Sequence, residues 1–154
     1  MAKKPTTTDA QLILELYDLR REPEMRKARH WWGMQFWPRS ADDFMKVGWA
    51  MGTPENNWLR QVNGYWGIVA SFVIEGVLNE TLFLKPSFSG EMFLIFAKVQ
   101  PFLKELREKL GDPHAFGDIE EAITRTKWGR ERLKFMAKRV EMMREKMEGG
   151  RSGD

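Results

Sequence analysis

Few side chains in this sequence could carry out chemistry. It contains no cysteine and only two histidines, His30 and His114. The spacing Asp112-x-His114-x-x-x-Asp118 offers one nitrogen and two oxygen ligands of the kind that divalent metals accept. The same pattern is typical of a turn after Gly111 followed by a helix cap at Asp118, and no second histidine lies nearby in the sequence. We therefore predict no metal site and no cofactor.

Polar side chains in apolar surroundings could instead anchor a small ligand. Glu75 ends the most apolar predicted helix, where burial would raise the pKa of its carboxyl group, although a helix end also lets it reach solvent. His30 follows a basic run and precedes two tryptophans. The sequence has no Ser–His–Asp set, no phosphate-binding glycine loop and no metalloprotease motif. We expect a non-enzymatic protein, with a small-molecule binder or enzyme using a Trp-lined pocket as one alternative.

Arg60 is a third polar anchor candidate, early in the same apolar helix. If that helix packs antiparallel to the one that holds Arg107, both guanidinium groups need carboxylate or carbonyl partners, because an unpaired buried charge is costly. Glu55 and Glu105 are the nearest carboxylates in sequence. We predict that Arg60 is at least partly buried and takes part in a structural ion pair or hydrogen bond.

Tryptophan is concentrated in one segment. Six of the seven tryptophans lie between residues 31 and 66. Trp58 and Trp66 share the inner face of a predicted helix, which favours the core for both. Adjacent residues of a helix diverge by about 100°, so Trp31, Trp32, Phe36 and Trp37 cannot all face one side of one helix. We therefore consider four tryptophans as interface or pocket residues: Trp31, Trp32, Trp37 and Trp49.

The charge is unevenly distributed. The net charge is +3, from 25 basic and 22 acidic residues, which is too small to imply a polyanionic partner for the whole chain. Residues 127–146, however, hold eight basic and three acidic residues. This segment could bind nucleic acid or an anionic surface together with an earlier basic run, or it could be a solvated helix face. The earlier run consists of Arg20, Arg21, Arg26, Lys27 and Arg29.

Helical periodicity dominates the chain, and no segment alternates as a strand does. We predict an all-α bundle of five to seven helices, with the fourth and sixth helices at its centre. Gly64 and Gly67 in the fourth helix are expected to permit close approach of another backbone. The predicted helices span residues 9–21, 23–36, 41–51, 54–75, 79–84, 90–110 (kinked at Pro101) and 118–147, the first capped by Thr8 and the last by Asp118.

The last predicted helix carries apolar residues at alternating spacings of three and four from Ile119 to Met147. This pattern predicts a left-handed seam against another helix, interrupted near Thr126 and Gly129, where the helix bends or passes another backbone closely. The seam could pack within the chain or in a second copy. Its possible interface residues are Met136, Val140 and Met143.

Residues 57–110 resemble a family of bacterial helical domains known only as a domain of unknown function. The resemblance rests on Arg60-x-Val62-Asn63 and on Gly76-Val77-Leu78-Asn79-Glu80 with Leu82-Phe83. It continues through Pro101-Phe102-Leu103 before Arg107. The resemblance implies an all-α fold and offers no catalytic residues.

The length and composition indicate one domain, residues 1–148, with a flexible tail at 149–154. No apolar stretch approaches the ~20 residues of a membrane span, and residues 1–9 lack the apolar core of a signal peptide. The absence of cysteine fits a reducing compartment, so we predict a cytoplasmic location. The surplus of large rings and the seam favour an interaction or scaffold protein that forms a homo-oligomer. Nucleic acid is a less favoured partner, and the sequence identifies no ligand.

Overall fold

The computed structural model describes residues 3–151, and the regular secondary structure within that range consists of helices with no strand, as predicted. Nine α-helices are present among these residues, because two of the predicted helices are each divided. Their bounds are α1 Thr7–Leu19, α2 Pro23–His30, α3 Ala41–Gly48, α4 Pro54–Ile74, α5 Glu80–Phe83, α6 Pro86–Val99, α7 Leu103–Leu110, α8 Gly117–Thr124 and α9 Lys127–Gly149. The predicted flexible tail at 149–154 begins at the last residue of α9, and its residues 152–154 lie outside the described range.

Side-chain caps set several helix starts. Ser40 and Thr53 cap α3 and α4 as predicted, each accepting a backbone N–H three residues on. Helix α1 begins earlier than predicted, because Thr6 rather than Thr8 forms a reciprocal capping box with Asp9. The predicted cap at Asp118 is also wrong. Helix α8 begins at Gly117 after the left-handed Phe116, so Asp118 lies inside its first turn.

Two interruptions shape the middle of the chain. After α2 the helix widens into a π-helical turn, Trp31–Gln35, whose last bond joins the N–H of Phe36 to the carbonyl of Trp31. Pro101 interrupts the predicted sixth helix with a 3₁₀ turn, Gln100–Phe102, because proline cannot donate a backbone hydrogen bond. The predicted kink at Pro101 is confirmed, and α6 and α7 are its two arms.

The last predicted helix is divided at Arg125–Thr126. Thr126 adopts an extended backbone and its hydroxyl accepts the N–H of Gly129 at 3.0 Å, so it caps α9. Here the chain turns sharply, and Gly129 lies against the backbone of Ile123. The interruption and the close approach predicted for this segment are therefore both present.

The core extends across all layers of the bundle. Helix α4 packs against α2 and α8, and α6 packs against α8 and α9. The prediction for the two glycines in α4 is wrong, since a Cβ at Gly64 or Gly67 would have no neighbour within 4 Å beyond the helix itself. Gly64 is exposed and Gly67 is half-buried, and neither lies in direct contact with another helix backbone.

Gly64→Ala is consequently expected to stabilise the protein. Glycine in a helix interior costs about 0.5–1 kcal/mol relative to alanine, and the added methyl group has open space. Urea denaturation should give a higher midpoint for the variant. A lower midpoint would mean that another backbone approaches α4 at this position.

Candidate functional site

The structure distributes the candidate tryptophans between core and surface. Trp31 and Trp32 are buried, and the ring of Trp31 stacks on Phe36 with centroids 4.4 Å apart. Trp37 is partly buried against the core, and its Nε1 donates to the carbonyl of Met34. Trp49 is 67% exposed in the loop after α3. Of these four, Trp49 alone presents most of its ring to solvent.

The polar anchor candidates all lie on the surface. Arg60, His30 and Glu75 are exposed. The prediction that Arg60 is partly buried is wrong, and its side chain makes no hydrogen bond or ion pair with any residue in the range 3–151. Position 60 lies about 100° round α4 from the buried Leu59, outside the arc of the helix that faces the core.

Arg107 has the partners that a half-buried guanidinium needs, but they are not those nearest in sequence. Its Nε donates to the carbonyl of Ala115 at 3.0 Å, and it pairs with Glu120 at 3.4 Å. Glu105 pairs with Lys109 instead. Arg107 therefore ties α7 to the loop before α8 and to α8 itself.

Trp58 lies between two clefts on the surface formed by α2 and α4. One, of about 660 Å³, includes Arg60 and the other, of about 450 Å³, includes His30 and Trp31. Arg60 and His30 therefore line two different clefts that share the ring of Trp58. The Nε1 of Trp58 donates to Glu24 at 3.5 Å, and Lys27 pairs with the same carboxylate.

The early basic run does not form a free cationic surface. The guanidinium of Arg20 is buried, lies over the rings of Trp66 and Phe88, and donates to the carbonyl of Phe88. Arg29 pairs with Glu91 at 2.8 Å, and Lys27 pairs with Glu24. This half of the predicted anionic-surface site is therefore largely occupied by internal partners.

The seam of the last helix packs within its own chain. Leu133, Met136 and Val140 are buried, Met143 is half-buried and Met147 is exposed near the end of the helix. The partner across this seam is α6. Met136 and Val140, which were interface candidates, are thus core residues of this chain.

Helix α9 carries a second apolar row, which faces solvent. Trp128 is 43% exposed, Phe135 47% and Met142 56%. They are spaced by seven residues, so they lie along one line of the helix about 21 Å long. We call these three residues the outer stripe. The rings of Trp128 and Phe93 pack edge to face with their centroids 6.0 Å apart, so one end of the stripe contacts α6.

Basic side chains border the outer stripe. The guanidinium groups of Arg132 and Arg139 lie over the ring of Phe135, at 4.6 Å and 5.8 Å from its centroid. Lys134 and Lys138 are exposed, and neither has an acidic partner within residues 3–151. Glu131 also borders the stripe and pairs with Lys127 at 3.8 Å. The outer face of α9 therefore combines apolar anchors with an excess of positive charge.

Sequence reasoning missed the buried Lys98 on α6. Its side chain is fully inaccessible, and its Nζ donates to the carbonyls of Trp32, Gly33 and Phe36 at the end of the π-helical turn. The ammonium also lies 3.6 Å from the ring centroid of Trp37. The one signal in the sequence was a single charge inside the apolar stretch 92–102.

Burial lowers the pKa of Lys98 to about 7, and the neighbouring Arg144 contributes to the decrease. A neutral amine is a nucleophile, but this one lies where no substrate reaches it. Its contacts with carbonyl groups at a helix end assign it to structure, because a cation compensates the negative end of a helix.

The described residues contain neither a cluster of metal-ligating side chains nor a helix that could span a membrane. Within residues 3–151, no three His, Asp or Glu side chains are grouped to hold a metal ion. Asp112 Oδ1 accepts the backbone N–H of His114 at 2.9 Å, as a turn residue does. Among the helices of the same range, none combines the length and apolar character needed to cross a membrane.

Among known proteins, the chain matches one family model. No curated protein and no solved structure matches the chain. A family model described as "Domain of unknown function (DUF4760)" matches residues 5–128. The match contains the whole of the segment 57–110 on which the resemblance rested, and it ends at Trp128, the second residue of α9. The chain therefore belongs to the DUF4760 family of domains of unknown function.

Proposed function

We propose that this protein is a non-enzymatic interaction protein, and that the outer stripe of α9 binds an acidic amphipathic helix of a partner protein. The observation that carries the proposal is the spacing of Trp128, Phe135 and Met142 on the solvent side of a helix whose opposite side is buried in the core. A monomeric core has no need of this second row.

The spacing suits a helical partner. Apolar residues repeating every seven positions form the seam of a two-helix contact, where side chains of one helix insert between those of the other. Aromatic and methionine side chains are the usual anchors in the buried centre of such contacts. A helix laid along α9 would cover the exposed parts of all three stripe residues at once.

The charge favours an acidic partner over a second copy of the chain. Arg132, Lys138 and Arg139 border the stripe. Two copies of this face brought together would oppose like charges, which is unfavourable. Glutamate and aspartate flanking the apolar row of a partner helix would pair with these groups instead.

A peptide titration tests the proposal. The probe is a fluorescein-labelled 21-residue helical peptide with leucine at its seam positions and glutamate beside them, and its anisotropy is followed as protein is added. Phe135→Ser should weaken binding at least about tenfold, since central aromatic anchors contribute about 2 kcal/mol or more. Leu14→Ser, which alters an exposed leucine on α1, should leave binding unchanged.

Further probes separate the competing partners. A charge-inverted peptide with lysine beside its seam should not bind. If that peptide binds equally well, charge complementarity plays no part and the proposal is wrong. Binding to phosphatidylglycerol vesicles or to a short DNA duplex, without binding to the acidic peptide, would assign the face to a membrane or to nucleic acid.

Self-association has a separate basis, because the seam of α9 is occupied within the chain. Trp49 is 67% exposed and Met51 70% exposed in the same loop. Their neighbours Lys46 and Glu55 carry opposite charges, so two copies of this loop would not repel as two copies of α9 would. A homo-oligomer through this loop, in the cytoplasm, remains a prediction. Light scattering should show a smaller particle for Trp49→Ser than for the unchanged protein, and equal sizes would argue against this contact.

A further inference from the structure

A small cavity near the end of α9 collects positive charge. It has a volume of about 220 Å³ and lies between the segment after the π-helical turn and the last turns of α9. Three of its side chains are arginines and one is a carboxylate. The lining residues are Gln35, Trp37, Arg39, Arg144, Met147, Glu148 and Arg151.

The cations around this cavity outnumber the anions. Arg39 pairs with Glu148, and Glu141 lies one turn before Arg144 and partly offsets its charge. No acidic group pairs with Arg144 or Arg151 among residues 3–151. Behind the ring of Trp37 lies Lys98, whose hydrogen-bond partners are all carbonyls. Three arginines therefore face two carboxylates at this cavity, with Lys98 buried behind them.

Arg144 has unused hydrogen-bonding capacity. One of its terminal nitrogens donates to the carbonyl of Pro38, but its Nε is inaccessible to solvent and has no acceptor. A buried donor without an acceptor is costly. Burial lowers the pKa of Arg144, and the nearby Arg39 lowers it further, because neither low solvation nor a second cation favours the charged guanidinium.

We propose that this cavity is a binding site for a phosphate group, held by Arg39 and Arg144 with Arg151 at its mouth. A phosphate dianion would balance the excess positive charge and accept hydrogen bonds from the terminal guanidinium nitrogens of Arg39 and Arg144. Guanidinium groups bind phosphate through paired N–H donors. The volume admits a phosphate with a small organic substituent, for which Trp37 and Met147 provide apolar walls. This site does not involve the outer stripe.

Calorimetric titration with inorganic phosphate, at ionic strength held constant with chloride, tests the site. Phosphate should bind the unchanged protein. Arg144→Met and Arg39→Met should each weaken it about tenfold or more, the effect of losing a charge-assisted hydrogen bond. Glu148→Gln should strengthen binding, because it removes a carboxylate that competes for Arg39. Arg60→Met, outside the cavity on α4, should bind as the unchanged protein does.

Several results would overturn the site. The site is absent if titration with phosphate releases or absorbs no more heat than titration with chloride. Equal affinity in the unchanged protein, Arg39→Met and Arg144→Met would also overturn it, as would weaker binding by Glu148→Gln. Because Arg144 also holds the carbonyl of Pro38, the exposed Arg39 provides a variant whose loss leaves that contact in place. A bound dianion should in addition raise the pKa of Lys98, which the ¹³C shift of its ε-carbon reports.

Discussion

Gly129→Ala is expected to destabilise the protein by about 3 kcal/mol or more, at the upper end of the cost of overpacking. A Cβ at this position would lie 1.9 Å from the carbonyl oxygen of Ile123, well inside contact distance. That oxygen belongs to the backbone of α8, so no side-chain rotation relieves the clash. Either α9 moves away from α8 or the Thr126 cap opens, and both disturb the buried seam.

Urea denaturation of three proteins measures this effect: the unchanged protein, Gly129→Ala and Gly64→Ala. The two variants make the same chemical change in helices, yet we expect opposite signs, with the midpoint lower for Gly129→Ala and higher for Gly64→Ala. A Gly129→Ala variant as stable as the unchanged protein would show that α8 and α9 do not approach each other closely here.

Lys98→Met is expected to cost about 2–4 kcal/mol at neutral pH, as expected when buried acceptors lose their donor. Methionine fills a similar volume, but it leaves the carbonyls of Trp32, Gly33 and Phe36 with no donor from position 98. The π-helical turn and the segment that holds Trp37 should loosen together. If Lys98→Met were as stable as the unchanged protein, the cost of burying the ammonium group would equal the stability that its hydrogen bonds contribute.

The pH dependence isolates the charge of Lys98. Burial lowers its pKa from 10.5 to about 7, so above pH 7 the folded protein holds this group neutral while the unfolded chain still binds the proton. Stability from this group therefore rises with pH between about 7 and 10.5 and falls as the pH is lowered. From pH 7 to pH 9, the unfolding free energy of the unchanged protein minus that of Lys98→Met should rise by about 2 kcal/mol. A constant difference would place the pKa of Lys98 near its ordinary value.

The ends of helices were predictable where residues close in sequence determine them. Thr53 and Pro54 fix the start of α4, and Pro101 fixes the break between α6 and α7, because caps and prolines act through the backbone nearby. The division between α8 and α9 was foreseen only as a weak point. The two residues that separate them depend on how α8 packs, which a heptad pattern does not encode.

The candidate site was harder to predict, because burial depends on tertiary packing. The seam containing Met136 and Val140 was recognised, but the sequence could not show that α6 of the same chain covers it. The outer stripe has the same seven-residue period and was overlooked beside the stronger row. Lys98 was noted only as an interruption of an apolar stretch, since its acceptors lie more than 60 residues away in the chain.

The most direct test of the proposed function is to map the bound peptide on the protein. Amide ¹H–¹⁵N spectra of the labelled protein should be recorded during titration with the acidic helical peptide. We predict that the largest shift changes follow the outward positions of α9 from Trp128 to Met142, while amides of the Trp49–Met51 loop and of the α2–α4 surface stay unchanged. Changes confined to that loop or surface, or no changes at saturating peptide, would contradict the account.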